Sequence, residues 1–192
     1  MSDFISGLRV AAATMAFCVV GYTALILGFA QGVTPATANG SLVTNADGEI
    51  IGSRLIAQAF TLPEYFWPRP SAVGYDAAGA GGSNLSSANP ELAERAQALI
   101  AAFGGATEKR PIPADLVTAS GAGLDPHISL EGALFQTERV ATARGAGVAD
   151  VTMLVRDMAY APGAFFTKDR IVNVLELNLA LDAELAAMAV TE

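Results

Sequence analysis

From Val10 to Ala30 the chain runs for 21 residues without a charged side chain. As a helix rising 1.5 Å per residue, that stretch is ~31 Å long, the thickness of a bilayer's hydrocarbon core. In lipid such a segment has to be helical, because only hydrogen bonds within the segment satisfy its backbone. The run therefore predicts a stub over 1–9, a membrane helix over 10–30, a connector over 31–40 and a domain over 41–192. The domain is long enough to bury a core without disulfides or metal.

Charge is distributed unevenly. The chain has 11 Lys and Arg against 19 Asp and Glu, a net charge of −8. Asp3 and Arg9, the charged residues before the run, cancel, so the negative balance belongs to the domain. An acidic surface argues against nucleic-acid or anionic-lipid binding, both of which need cations. The single cysteine, Cys18, lies inside the apolar run, which rules out an internal disulfide and a thiol-based metal site.

Arg9 and the amino terminus put positive charge on the N-terminal flank, and no charge follows Ala30 until Asp47. The positive-inside rule then predicts a cytoplasmic N-terminus and a translocated domain. A cleaved signal peptide is the competing reading, since Ala36-Thr37-Ala38 has the small-x-small form of a cleavage site. The run exceeds the usual signal core of about 7–15 residues, which favours a retained anchor. Gly7, Ala11, Thr14, Cys18, Gly21 and Gly28 repeat at helical spacing and predict a small-residue stripe against which a partner helix packs.

Beyond the connector the pattern predicts an α+β (or α/β) soluble domain with a small sheet. Residues 42–44 and 49–51 read as a hairpin about Asp47-Gly48. Ser53 reads as the cap of a short helix over 54–60, and 74–89 as a long loop. Asn89-Pro90-Glu91 starts a helix that ends at Phe103 before Gly104-Gly105. Residues 111–126 read as irregular. Ser129 caps a helix that stops at Gly145, with Leu130, Leu134, Val140 and Ala141 as its apolar side. A helix follows over 149–158, then a hairpin of 164–167 with 170–175 turning at Lys168-Asp169, and a last helix over 177–189.

The search for chemistry yields little. Gly79 to Asn84 lacks the lysine of a phosphate loop. Ser120, Asp125 and His127 suggest a triad, but no nucleophile-elbow motif accompanies them, and a structural hydrogen bond is expected of His127. One histidine without thiols disfavours a metal site. Arg139 and Arg144 share a helix and read as surface charges or as docking points for a partner's carboxylates. By residues alone the domain is a binding or assembly module.

Several blocks go further. They are Gly52-Ser53-x-Leu55-Ile56-x-Gln58-x-Phe60, Tyr65-Phe66-x-x-Arg69-Pro70-Ser71-Ala72 and Gly81-Gly82-Ser83-Asn84-Leu85. Pro113 to Gly121 and Gly123 to Ser129 follow, then Gln136, Arg139-Val140-Ala141, Ala143-Arg144-Gly145 and Val172 to Asp182. Together they resemble the KdpC family, the C subunit of the bacterial Kdp potassium-transporting ATPase. Ala122 and Leu130 depart from the serine and proline associated with those places.

The resemblance implies a non-catalytic, single-pass subunit of the bacterial inner membrane. Its expected partners are a channel-like potassium-binding subunit, a P-type ATPase subunit and a very small stabilising subunit. The family is described as a catalytic chaperone that raises the ATPase subunit's affinity for ATP; ATP enters by that description alone, and no cofactor of its own is expected. Partner contacts are expected among Arg69, Ser71, Ser83, Asn84, Asp115, Ser120, Asp125, His127, Gln136, Arg139, Arg144, Asn173, Asn178 and Asp182. Three readings stay open: an extracytoplasmic assembly and gating module over the potassium entrance, a cytoplasmic ATP-binding chaperone, and a membrane-anchored hydrolase.

Overall fold

A computed structural model of the chain describes residues 2–45, 47–163 and 166–189, and the side chains of the last helix as far as Glu184. It divides into two units, Met1–Ile51 and Gly52–Glu192.

The first unit is dominated by α1, Ser2–Val33, a helix of 32 residues that contains an 18-residue stretch of mean hydropathy 2.1, which suits a membrane span. It has α-helical parts, Ser2–Met15 and Tyr22–Val33, joined by a π-helical turn at Ala16–Gly21. The predicted stub and the start of the predicted connector are thus continuous with the span. Phe4, Ile5 and Leu8 carry the apolar pattern back to the N-terminus, and Asp3 in the first turn complements the helix dipole. Proline terminates the helix: Thr34, just before Pro35, sits at φ −135°, outside the α region. A single turn, α2, Pro35–Ala38, continues from it.

The predicted small hairpin forms as β1, Leu42–Thr44, and β2, Ile50–Ser53. Its turn is held by the Asn45 carboxamide oxygen, which accepts from the N–H groups of Asp47 (3.1 Å) and Glu49 (2.8 Å). The helix expected over 54–60 does not form. Ser53 Oγ accepts from the Leu55 N–H at 3.1 Å, which closes a turn, and the Ala57 N–H is taken by the carbonyl of Leu124 at 2.9 Å. A tertiary hydrogen bond has replaced the helical one.

The second unit is α+β. Helix α3, Pro90–Ala102, is capped by Asn89, whose side chain accepts from the Glu91 N–H. The irregular stretch before residue 126 contains one 3-10 turn, Ala114–Leu116. Strand β3, His127–Ser129, leads directly into α4, Leu130–Arg144, which Gly145 closes at φ 66°. Helix α5, Val148–Met158, strand β4, Ile171–Asn173, and α6, Val174–Ala189, complete the chain.

The C-terminal pairing differs from the expected hairpin. β4 pairs antiparallel with β3, with Ile128 opposite Val172, and Tyr160 bridges its other edge. Ile128 and Val172 are both buried, whereas Phe166 is 96% exposed, so apolar burial selects the distant partner. Ala164 and Phe165 lie outside the described residues. Val174 and Leu175 already belong to α6. Ile128 and Val172 join Phe66, Leu116, Val140, Val155, Leu177 and Leu181 in one core. The expected apolar side of α4 enters this core, with Val140 and Ala141 buried and Leu130 and Leu134 packed against it, and two polar residues the pattern did not announce, Gln136 and Thr137, are fully buried beside them.

Candidate functional site

Burying a carboxamide is unfavourable unless each of its hydrogen-bonding atoms finds a partner. Three do so here, and all three hold loop backbone. Gln136 accepts from the Trp67 N–H (2.8 Å) and donates to the Trp67 carbonyl (3.0 Å). Asn178, on α6, does the same to Phe66, at 2.8 and 3.1 Å. Each pair of bonds is the one a neighbouring strand residue makes, so two helix side chains treat residues 66–67 as a strand. Asn173 donates to the Arg54 carbonyl (2.9 Å) and accepts from the Glu176 N–H (3.2 Å), which starts α6. Arg54 then pairs with Glu176 at 2.8 Å.

Next to this clamp, two guanidiniums of α4 grip the same loop. Arg139 donates to the Pro63 carbonyl (2.6 Å) and to Gln136 Oε1 (2.7 Å), and lies 4.0 Å from the centre of the Trp67 ring. Burial pushes its pKa down to about 10, so it stays charged at neutral pH. Arg144 donates to the Glu64 carbonyl (2.6 Å), pairs with Asp182 at 2.8 Å and faces the Tyr65 ring. Tyr65 also donates to Asp182. Gln136, Arg139, Arg144, Asn178 and Asp182 are thus brought together around residues 63–67.

A second cluster forms at the β3–β4 end. Asp125 pairs with Arg69 (3.2 Å), accepts from the His127 N–H (3.0 Å) and approaches His127 Nδ1 (3.3 Å). The His127 side-chain hydrogen bond, more than the Arg69 charge, holds the Asp125 pKa below the usual carboxylate range. His127 Nε2 meets the Tyr160 hydroxyl at 2.9 Å. Both ring nitrogens therefore have partners, and Tyr160 occupies the place a triad serine would need. Ser120 is elsewhere: it is buried and gives its N–H to the Pro70 carbonyl. Tyr160 escaped the sequence reading because it lies 33 positions after His127 and nothing between them marks it as a partner.

The remaining motif residues brace turns. Asp115 accepts from the Ser129 N–H (2.6 Å) and hydroxyl (3.1 Å), orienting the cap of α4, whose Oγ accepts from Gly132 (2.8 Å). Ser71 Oγ accepts from Val73 and Tyr75. Gly123, at φ 69°, passes so close to Ser71 that a Cβ would stand 3.0 Å from its hydroxyl. Ser83 and Asn84 line a groove of about 390 Å³ with Arg95 and Ser120. The small residues of α1 belong to the first unit. Gly7, Ala11 and Thr14 lie in its first α-helical part, Cys18 and Gly21 in the π-turn, and Gly28 in the second part, all exposed.

Comparison with known proteins agrees with this pattern. The family model described as KdpC, K+-transporting ATPase, c chain, matches residues 4–183. A Parvibaculum lavamentivorans protein named potassium-transporting ATPase KdpC subunit is 56% identical over 182 residues, 95% of this chain and 97% of that one. Proteins of the same name from Geobacter sulfurreducens (48% identical; 84% of this chain, 87% of the relative) and Caulobacter vibrioides (44%; 96% and 97%) are similar along most of their lengths. With its N-terminal apolar helix, its α+β second unit and its motif side chains gathered on the 63–67 loop, the chain belongs to the KdpC family.

Proposed function

We propose that this chain is the accessory C subunit of a Kdp potassium-transporting ATPase, anchored in the bacterial inner membrane by α1 and acting by contact. The observation that carries this reading is where the motif side chains direct their polar atoms. Gln136, Asn173, Asn178, Arg139 and Arg144 bond the chain's own backbone, and His127 has both nitrogens engaged. That is scaffolding for a rigid docking body, with no free nucleophile–base pair among these residues.

In this reading the N-terminus is cytoplasmic and the second unit extracytoplasmic, seated on the channel-like subunit where acidic loops raise the local cation concentration. The catalytic-chaperone role then becomes indirect: ATP affinity rises in the ATPase subunit through assembly, without nucleotide touching this chain. The test is purification of the complex through a tag on the ATPase subunit, with and without this chain. Recovery of the channel-like subunit and potassium-stimulated ATP hydrolysis are expected only with it. Undiminished recovery and turnover in its absence sink the proposal.

A further inference from the structure

Half-buried guanidiniums in the second unit mostly have internal partners. Arg69 and Arg144 face carboxylates, and Arg139 donates to a carbonyl. Arg95, midway along α3, does not follow this pattern. Among the described residues no hydrogen bond, ion pair or ring contact reaches its side chain, yet its Nε is buried. Arg156 also has no partner for its guanidinium, but it is exposed and remains hydrated.

Glu91 lies four residues before Arg95 on α3, at the spacing where a Glu–Arg pair forms readily, and that pair is not made. Arg95 instead lines the groove of about 390 Å³ that Ser83, Asn84, Thr118 and Ser120 share. Ser120 is 4% exposed and is held there by its N–H, which donates to the Pro70 carbonyl. The groove is pre-formed: a Cβ on Gly82 would stand 2.8 Å from the Gly121 carbonyl, so its walls meet backbone to backbone.

A partly desolvated cation without a counter-ion lacks one thing, an oxyanion that fits the guanidinium fork. We propose that this groove receives a carboxylate side chain of a partner subunit, with Arg95 as its counter-ion. A single carboxylate charge is neutralised by Arg95 alone. A phosphate dianion needs a second cation, and no other Lys or Arg lines the groove, on a chain whose net charge is −8. The site rests on the reading of this chain as a subunit that works by contact.

The test uses the assembled complex, tagged on another subunit, carrying wild-type chain, Arg95→Gln or Arg95→Lys, and follows retention of this chain as salt is raised. Arg95→Gln is expected to weaken retention about tenfold, with Arg95→Lys between the two. The melting temperature of the purified full-length variants should not change, because Arg95 has no internal partner to lose. Equal retention of Arg95→Gln and wild type overturns the site. Inorganic phosphate is the second probe: if it raises the wild-type melting temperature but not that of Arg95→Gln while retention stays equal, the oxyanion is a free one and the partner assignment falls. Failure of the wild-type chain to co-purify with any Kdp subunit removes the proposed function itself, and the site with it.

Discussion

At Asn178 a single atom decides the outcome. Its Nδ2 donates to the Phe66 carbonyl while its Oδ1 accepts from the Phe66 N–H, so Asp at this position keeps the acceptor and loses the donor. Asn178→Asp should cost ~2–3 kcal/mol of stability, since a carboxylate oxygen then faces a buried carbonyl. Urea unfolding measures this, and a change within ±0.5 kcal/mol contradicts the two-point clamp. Asp125 gives a pH signature of opposite sense. Its folded pKa lies below the unfolded value, first through its hydrogen bond to His127. The stability it contributes is therefore complete above the unfolded carboxyl pKa of about 4 and lost as pH falls through the folded one. Asp125→Asn should flatten the fall in urea midpoint between about pH 5 and pH 3; an unchanged profile removes Asp125 from the acid response.

Helix α4 shows how an element depends on a residue far from it in the chain. Its Ser129 cap is aimed by Asp115, fourteen positions earlier, through a 2.6 Å bond to the Ser129 N–H. Asp115→Ala should cost ~1–2 kcal/mol, and the Asp115→Ala, Ser129→Ala pair less than the sum of the two, because both act on one cap. Strict additivity in a double-mutant cycle counts against that coupling. The same element marks the boundary of what was legible in the sequence. Its start at Ser129 and its stop at Gly145 follow from local chemistry, as does the Asn89 cap of α3. Val140 and Ala141 on its buried face follow from the apolar pattern, but Gln136 does not. It enters the core only because Trp67 supplies the matching backbone groups, while the Thr137 hydroxyl is satisfied by the Ala133 carbonyl of the same helix. The partner of β4 was illegible for the same reason: 170–175 looks like half of a local hairpin, and only the burial of Val172 against Ile128 selects β3. Likewise the turn after Ser53 reflects a bond from Ala57 to Leu124, which no local pattern announces. In α1, the length and apolarity were readable, but the π-turn at Ala16–Gly21 was not. Gly21→Leu and Gly28→Leu should each reduce co-purification of this chain with its complex in detergent if the small face meets another helix; recovery at wild-type levels argues against such packing.

For the whole molecule, the side of the membrane on which residues 52–192 reside constrains every account of function. A single arginine, Arg9, flanks the span on one side, and on the other no charge precedes Asp47. The bias is small in number and partly offset by Asp3 on the same flank, and by the positive-inside rule it favours retaining the N-terminus in the cytoplasm. A polypeptide on the far side of a bilayer cannot contact cytoplasmic ATP, so orientation separates an assembly role from direct nucleotide binding. Cys18 is the chain's one cysteine and lies in α1, so Cys18→Ala leaves a background free of thiols. Ser87→Cys then adds one exposed thiol in the long loop before α3. In intact cells stripped of their outer membrane, a membrane-impermeant maleimide should label Ser87→Cys fully, before any lysis. Labelling that appears only after the inner membrane is broken reverses the topology and restores the nucleotide-binding reading. Moving the charge supplies the converse: Arg9→Glu with Lys introduced at Gln31 and Asn39 should lower labelling from outside and potassium-dependent growth together, because a second unit held in the cytoplasm cannot reach an extracytoplasmic surface of its partners.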